Sequence, residues 1–535
     1  MPKLTIDGKQ VEIESGRTIL DAAKQIGIAI PTMCFLGGHP AMTSCMACVV
    51  KVNGRSRLIP SCATRAEEGM VVESSSDEVT TARQTALELL LGDHVGDCAG
   101  PCHSACPAHM DIPAMIRQIS ERRYSDAIIT VKRHIALPAV LGRICPEVCE
   151  KACRRGAYDA PISICLLKRF VADVDLASDK PYMPERKKAS GKRVAIIGSG
   201  PAGLSAAYYL QQEGHACVVF DDRPAPGGML RSDVPLERLP RDVLDAEIAL
   251  IRELGAEFPP DTRIDDAKSL GDIVRDFDAT LLAIGPVESE FASRLQLEMA
   301  GHGLRVDRST MMTPKAGLFA AGSVITPSHL AVRAVADGRS AAYGITAYLE
   351  SKRVDAHSKP YSTHIGRLLE GEIADFMVGV DTSARTTPAG SGLSEDEALR
   401  ESARCMHCEC GKQNNCKLRD FGIEYTADVG AFKDKRQRVS RELDHPHVIY
   451  ESGKCIDCGL CVQLTAEAKE PLGLTFIGRG FNVRPGVPFN ASFSAALRKV
   501  ARECVEACPT GALVMKETGI QGGDAEAKER PPAAA

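Results

Sequence analysis

A multidomain fold combining α/β and α+β units is what this chain predicts, and three observations predict it. Its 535 residues exceed what one core organises, so three or four domains are expected. From residue 192 an apolar strand runs into a glycine-rich turn and a helix, the start of a parallel α/β unit. Of 21 cysteines, all but Cys217 fall in tight groups along the chain. A net charge of −5, 4% aromatic residues and no Trp argue against binding nucleic acid. The opening MPKLTIDGKQVEIE alternates polar and apolar residues, and no run reaches 18 apolar residues, so neither an export signal nor a membrane span is expected. The expected compartment is the cytoplasm. There, dense cysteines read as metal ligands and not as disulfides.

Residues 1–92 begin with LTIDGKQVEIE, two alternating strands about Asp7-Gly8, a pair suited to a tight hairpin turn; a helix, TILDAAKQIG, follows. Cys34, Cys45 and Cys48 form C-x10-C-x2-C, and Cys62 follows after thirteen residues. A close triplet plus one distant thiolate suits a [2Fe-2S] cluster, wrapped by one loop and closed by a neighbouring strand. Zinc is the alternative, but zinc sites usually show two C-x2-C pairs and only one is present. The segment resembles the ferredoxin-type domain that opens the large iron-sulfur subunit of complex I and many iron-only hydrogenases, which implies a β-grasp fold.

Residues 93–180 carry apolar residues at helical spacing and two cysteine groups. GDCAGPCHSACPAHMDIP supplies Cys98, Cys102 and Cys106; GRICPEVCEKACRRG supplies Cys145, Cys149 and Cys153. Both stretches resemble the N-terminal iron-sulfur domain of the glutamate synthase small subunit and of dihydropyrimidine dehydrogenase. The resemblance implies a helical domain with two [4Fe-4S] clusters whose ligands are shared between the groups. A cysteine expected ahead of Cys98 is missing, and LLLGDHVGDC resembles the H-x3-C motif that follows the ferredoxin domain in complex I. The expected sets are therefore His94, Cys98, Cys102 and Cys153 for one cluster, and Cys106, Cys145, Cys149 and Cys165 for the other. A lone histidine is more often an ordinary core or surface residue, and Cys165 could equally be a small buried side chain on a helix.

Residues 192–350 contain KRVAIIGSGPAGLSAAYYLQQEGHACVVFDDR. Strand, Gly198-x-Gly200-x-x-Gly203, helix and a second strand ending at Asp221 complete the context that makes a glycine fingerprint informative. The stretch PGGMLRSDVPLERLPRDVLDAEIALIRELGAEF resembles the FAD domain of the glutamate synthase small-subunit family, as do ATLLAIG and GLFAAGSVITPSHLAVRAVADGRSAA. That resemblance implies FAD, contacted by Gly198, Gly200, Pro201, Ala202, Gly203, Asp221, Gly228, Met229, Gly285, Gly322 and Ser323. The family has an aspartate where Ser323 stands, so a hydrogen-bond acceptor for the flavin is lost. Relatives also insert an NAD(P)H-binding domain within the FAD domain, but only 31 residues separate Gly285 from Gly317. One βαβ unit already takes about 30 residues, so the insertion is absent. GHG at 301–303 is too short to replace it.

Residues 351–400 read as a linker. In 401–440, Cys405, Cys408, Cys410 and Cys416 lie within twelve residues and suit one compact [4Fe-4S] cluster, with a zinc knot as competitor and His407 as a bystander. In 441–520, KCIDCGLCVQLT supplies Cys455, Cys458 and Cys461, and RECVEACPTGAL supplies Cys504 and Cys508. This resembles a bacterial two-cluster ferredoxin domain, in which the cysteine before proline serves the distant triplet. One [4Fe-4S] cluster on Cys455, Cys458, Cys461 and Cys508 is expected, since Thr465 replaces the fourth cysteine of the first run. Cys504 is then a spare thiol or alternative ligand, and Cys217 a buried hydrophobe. The tail 521–535 is expected to be disordered.

One [2Fe-2S] cluster, about four [4Fe-4S] clusters and FAD make an electron-transfer subunit the expected function. The combined resemblance is to iron-sulfur flavoprotein subunits of NAD(P)-linked hydrogenases, formate dehydrogenases and related electron-bifurcating complexes. It implies partner subunits carrying an NAD(P)-binding flavoprotein and the catalytic site, with ferredoxin a further candidate. A scaffold with a vestigial flavin site and an independent NAD(P)H-dependent flavin reductase are the competing readings. No catalytic residue is identified.

Overall fold

The computed structural model describes residues 1–259, 262–264, 266–352, 361–433, 436 and 438–516. The expected tail at 521–535 lies outside the described residues, as do 353–360 of the expected linker. The described residues fall into two compact units: one drawn from Met1–Cys98, Tyr361–Phe376 and Cys410–Ala535, the other from Ala99–Pro360 and Met377–Glu409.

The first unit opens with strands β1 (Lys3–Ile6) and β2 (Lys9–Glu12), an antiparallel hairpin in which Leu4 faces Val11. Asp7 and Gly8 turn the chain with φ of 46° and 78°, the left-handed pair that an Asp-Gly turn accommodates. Strands β3 (Val49–Val52), β4 (Ile59–Pro60) and β5 (Val71–Glu73) complete a five-stranded sheet of order β2-β1-β5-β3-β4, with β5 parallel to β1. Across one face lies the expected helix, Ile19–Gln25. It starts where Thr18 and Asp21 close a capping box and buries Ile19, Ala22 and Ala23 against Leu4, Ile6, Val50 and Val72. Helix Asp77–Asp93 follows and ends at His94. Later in this unit, strands Arg441–Glu442, Val448–Glu451 and Leu513–Met515 form an antiparallel sheet, accompanied by helices Leu460–Glu467 and Ala501–Ala507.

The second unit begins with short helices between Pro101 and Leu176, whose apolar faces (Ile112, Met115, Ile116, Leu141, Leu167) are fully buried. They share one core with a four-stranded parallel sheet ordered Leu318–Ala320, Ala279–Leu282, Arg193–Ile197, Ala216–Phe220. Such a sheet is covered on both faces, which suits its largely apolar strands, with Val194–Ile197 and Leu318–Ala320 buried throughout. Helices Pro201–Gln212 and Ala331–Leu349 pack closely because a Cβ at Gly338 would stand 2.1 Å from the Ala202 carbonyl. Between Ala279–Leu282 and Leu318–Ala320 the chain makes helix Ser289–Arg294 and a pair of two-residue strands, Met299–Ala300 and Gly303–Leu304. Among the described residues no helix is long and apolar enough to cross a membrane.

Candidate metal centres and nucleotide site

Cys34, Cys45, Cys48 and Cys62 are brought together and are all at most 5% exposed. The Cys45 amide donates to Cys34 Sγ at 3.4 Å, and Cys48 and Cys62 have their sulfurs 3.4 Å apart. Hydrogen bonding from Cys45 holds the Cys34 thiol down at about 5, and that from Cys62 holds Cys48 at about 6. Within the loop, Thr43 and Met46 adopt positive φ (54° and 53°), which costs about 1–2 kcal/mol each and bends the backbone round the sulfurs.

Left-handed residues also accompany three other cysteines. Glu147, His407 and Asp457, each two residues past a cysteine, are left-handed with φ of 58°, 43° and 50°. Hydrogen bonding with Cys165 and burial raise the Cys145 thiol, and burial raises those of Cys405 and Cys455; in each case the backbone at the left-handed residue hydrogen-bonds back to the sulfur and opposes that rise. The bond from the Asp457 amide to Cys455 Sγ measures 3.4 Å. Backbone donors aimed at sulfur favour the thiolate form that metal ligation requires.

Cys455, Cys458, Cys461 and Cys508 line one small cavity, of about 20 Å³, together with Tyr450, Pro485 and Pro509. Cys504 does not line it; it is fully buried in the adjoining apolar core, and burial pushes its thiol up to about 12. Cys217, at 1% exposure, sits inside its strand with Sγ 3.8 Å from the His215 carbonyl.

In the second unit Cys165 is within hydrogen-bonding range of both Cys145 and Cys149. Lys168, 4% exposed, has its Nζ 4.0 Å from Cys165 Sγ; despite burial, the thiols of Cys165, Cys145, Cys149 and Cys106 raise its pKa and keep it protonated.

The remaining ligand candidates are divided between the two units. His94 and Cys98 belong to the first unit, whereas Cys102 and Cys153 belong to the second; Cys405 and Cys408 belong to the second and Cys410 and Cys416 to the first. Hydrogen bonds explain this division. Arg155 donates to the carbonyls of Arg404 and Asp381, both at 2.9 Å, and Arg404 donates to that of Ala160 at 2.9 Å. Arg117 pairs with Glu409. These bonds fix residues 404–409 on the helices of the second unit. In the first unit, the Cys410 amide and Gln413 Nε2 both reach the Cys98 carbonyl, each at 3.4 Å. His94 is 4% exposed, and its Nδ1 has no hydrogen-bond partner. Burial and the nearby Lys454 ammonium lower its pKa to about 4, so the imidazole is neutral and available as a donor.

The nucleotide cradle is assembled at the carboxyl ends of the parallel strands. Gly198 has φ of +103°, where a Cβ would meet the Ala283 carbonyl at 2.4 Å, and a Cβ on Gly203 would stand 1.9 Å from the Gly198 carbonyl. Both positions require glycine for packing. By contrast, nothing lies within 4 Å of a Cβ at Gly200 or Gly285, leaving their backbones open to a ligand. Pro201 and Ala202 begin the helix behind this turn, and Met229 begins a short helix after Gly228, which has φ of 50°. Asp221 accepts from the Ser199 amide at 2.7 Å and from the Ser199 hydroxyl at 2.5 Å. Gly322 has φ of 80°, and Ser323 Oγ donates to the Ser328 carbonyl at 2.9 Å.

Sequence reasoning passed over the buried cations. Lys454 adjoins Cys455, and Arg404 adjoins Cys405, so a basic residue next to a clustered cysteine was the available signal. Asp337 was also missed: its carboxyl is pushed up to about 6 by burial, opposed by Arg308, Arg333 and a hydrogen bond with the Gly322 backbone.

Fold and sites define an iron-sulfur chain with a Rossmann-like nucleotide domain. It matches a 2Fe-2S iron-sulfur cluster binding domain over residues 2–77, the 4Fe-4S domain II of dihydropyrimidine dehydrogenase over 93–180, and an NAD(P)-binding Rossmann-like domain over 196–255. Similar proteins include the NADP(+)-dependent formate dehydrogenase subunit beta of Moorella thermoacetica, 41% identical over 35% of this chain and 29% of that protein. The NADPH-Fe(3+) oxidoreductase subunit beta of Geobacter sulfurreducens is 39% identical over 36% of this chain and 29% of its own length. Subunit PreT of the NAD-dependent dihydropyrimidine dehydrogenase of Salmonella typhimurium is 38% identical over 35% and 45%. The matched part of this chain thus spans less than half the length of each of these relatives, which are all oxidoreductase subunits.

Proposed function

We propose that this chain is an electron-transfer subunit of a multisubunit NAD(P)-linked oxidoreductase. The observation that carries the reading is the convergence of cysteines, several of them served by backbone donors, in both compact units. The donor set fits iron-sulfur clusters, since soft thiolates are what these clusters require. Cys34, Cys45, Cys48 and Cys62 would hold a [2Fe-2S] cluster, and Cys455, Cys458, Cys461 and Cys508 a [4Fe-4S] cluster. Cys106, Cys145, Cys149 and Cys165 would hold another beside the Lys168 ammonium. The open backbone at Gly200 and Gly285, with Asp221 placed to meet a ribose, fits a dinucleotide, and we assign FAD. When bound, clusters supply one-electron steps and a flavin joins them to two-electron chemistry.

This chain's residues set the energetics. Lys168 and Lys454, buried beside thiols, favour the additional negative charge of a reduced site, while apolar side chains exclude water. Gly285 and Gly317 are joined by a short helix and a small hairpin, so the partner for hydride exchange with a nicotinamide would be another subunit. Such an NAD(P)-binding flavoprotein, and a catalytic subunit for formate, hydrogen or another donor, are the partners proposed. Native co-purification with identification of the attached chains tests this. Recovery with such subunits supports it; a chain that oxidises NADPH alone, with no partner, replaces it with an independent reductase.

A further inference from the structure

Two cysteine-rich stretches some three hundred residues apart, 94–106 and 405–416, are each divided between the compact units, and the halves meet in pairs. We propose that Cys102, Cys153, Cys405 and Cys408 hold one tetranuclear cluster, and that His94, Cys98, Cys410 and Cys416 hold another. This deepens the electron-transfer reading and rests on it. Neither run 405–416 nor run 94–102 would then bind a cluster alone.

For the first set, the chain just beyond Cys153 and the chain just before Cys405 are joined by the bond from Arg155 to the Arg404 carbonyl, 2.9 Å. A Cβ at Gly100 would stand 3.6 Å from Cys102 Sγ and 4.0 Å from the Glu409 amide nitrogen, which places the residue after Cys408 beside Cys102. Cys102, Cys153 and Cys405 border the same apolar core.

For the second set, Cys410 and Gln413 both hydrogen-bond to the Cys98 carbonyl at 3.4 Å. Thr363 Oγ1 ties the same loop, bonding to the Gly96 carbonyl at 2.7 Å and lying 3.5 Å from Cys98 Sγ. The Lys454 stem bridges the two sides: it lies 2.8 Å from a Cβ at Gly96 and 3.8 Å from one at Gly511, where Cys410 Sγ is the nearest atom. Cys416 stands at the start of helix Lys417–Glu424, six residues past Cys410 in the same unit. The buried, unpartnered Nδ1 of His94 supplies the fourth donor. With these two sets and the three proposed above, 19 of the 21 cysteines and His94 fill five four-ligand sites. The two left over, Cys217 and Cys504, are those buried in apolar cores.

The test is ligand pairing by non-additivity in the full chain, produced without oxygen, with iron and labile sulfide counted and reduced spectra recorded by electron paramagnetic resonance. Cys102→Ser and Cys408→Ser should change the same signal, and combining them should remove no more iron than either alone. Cys408→Ser with Cys410→Ser should change two signals and remove about twice the iron of either single variant. His94→Cys, which retains a donor, should keep its iron and change only the signal affected by Cys416→Ser. If Cys408→Ser and Cys410→Ser abolish one shared signal with no additivity, the pairing is wrong. An unchanged spectrum for His94→Cys removes His94 from its set. Wild-type protein without iron would instead overturn the electron-transfer reading itself.

Discussion

Arg155 donates to the backbone carbonyl of Arg404 at 2.9 Å while its other nitrogens grip both oxygens of Asp159 at 2.6 and 2.8 Å. Arg155 is 1% exposed and Arg404 fully buried, so this junction between two distant stretches is formed where water cannot substitute. Lysine in place of Arg155 keeps the charge but not the planar fork. Arg155→Lys is expected to lower stability by about 3 kcal/mol, since Asp159 and buried carbonyls lose partners. Iron content should fall by one cluster, read by iron assay alongside thermal unfolding under nitrogen. Full iron content with an unchanged midpoint would deny the junction any structural role.

Lys168 faces the thiols of Cys165, Cys145, Cys149 and Cys106 from inside the core. Replacing it by Met keeps most of the volume and removes a positive charge. At an effective dielectric near 20 and a separation of several ångströms, that charge is worth on the order of 2 kcal/mol, or roughly 100 mV for one electron. Lys168→Met should lower the potential of one [4Fe-4S] centre by that order in a redox titration and leave the others in place. A potential unmoved within error would mean that the ammonium does not face a cluster.

What was legible in the sequence was local. Asp7-Gly8 announced its hairpin because a two-residue turn is determined by those two residues, and Cys455, Cys458 and Cys461 with Cys508 line one cavity because their spacing follows a recognisable ferredoxin pattern. The glycine fingerprint likewise specified strand, turn and helix together. Which halves of the other cysteine runs meet was not legible. Cys408 and Cys410 are two residues apart yet belong to different units, and what separates them is long-range: Arg117 holding Glu409, and the Cys98 carbonyl receiving the Cys410 amide. No local spacing encodes such partners. Nor did composition reveal the segment 351–400 as anything but a linker, although it contains helix Glu372–Met377, with Glu372 paired to Arg436 at 2.6 Å and 1% exposed.

The glycines of the nucleotide turn separate packing from binding. Gly203→Ala would put a methyl group 1.9 Å from the Gly198 carbonyl, so the helix must shift and stability should fall by at least about 2 kcal/mol. Gly200→Ala meets nothing within 4 Å and has φ of −72°, a conformation any residue adopts, so the fold should be unaffected. The methyl would nonetheless stand where a pyrophosphate must approach the backbone. Gly200→Ala should therefore weaken flavin retention at least about tenfold, a loss of about 1.4 kcal/mol, without lowering the unfolding midpoint of flavin-free protein. Equal retention in wild type and Gly200→Ala would place the ligand elsewhere.

Glu247 carries a pH dependence whose sign follows from its surroundings. Its carboxylate accepts from the amides of Ala139 and Val140 at 2.8 and 2.9 Å, at the start of helix Pro138–Ile144, yet it is only 2% exposed. Burial outweighs those two bonds and pushes its pKa from 4.5 up to about 7. A carboxyl whose pKa is higher folded than unfolded binds more protons in the folded state between those two values. Its contribution to stability is therefore full below about 4.5 and is lost as pH rises to 7, amounting to roughly 3 kcal/mol. Glutamine does not titrate, but only its Oε1 can accept, so one of the two buried amides loses its partner at a cost of about 1–3 kcal/mol at every pH. Between pH 5 and pH 8 the unfolding midpoint of the wild type should therefore fall while that of Glu247→Gln, lower at pH 5, is unaffected by this group, both measured without oxygen so that cluster loss does not intervene. A gap between the two proteins that stays constant from pH 5 to pH 8 would mean that the two amide bonds, and not burial, dominate at this position.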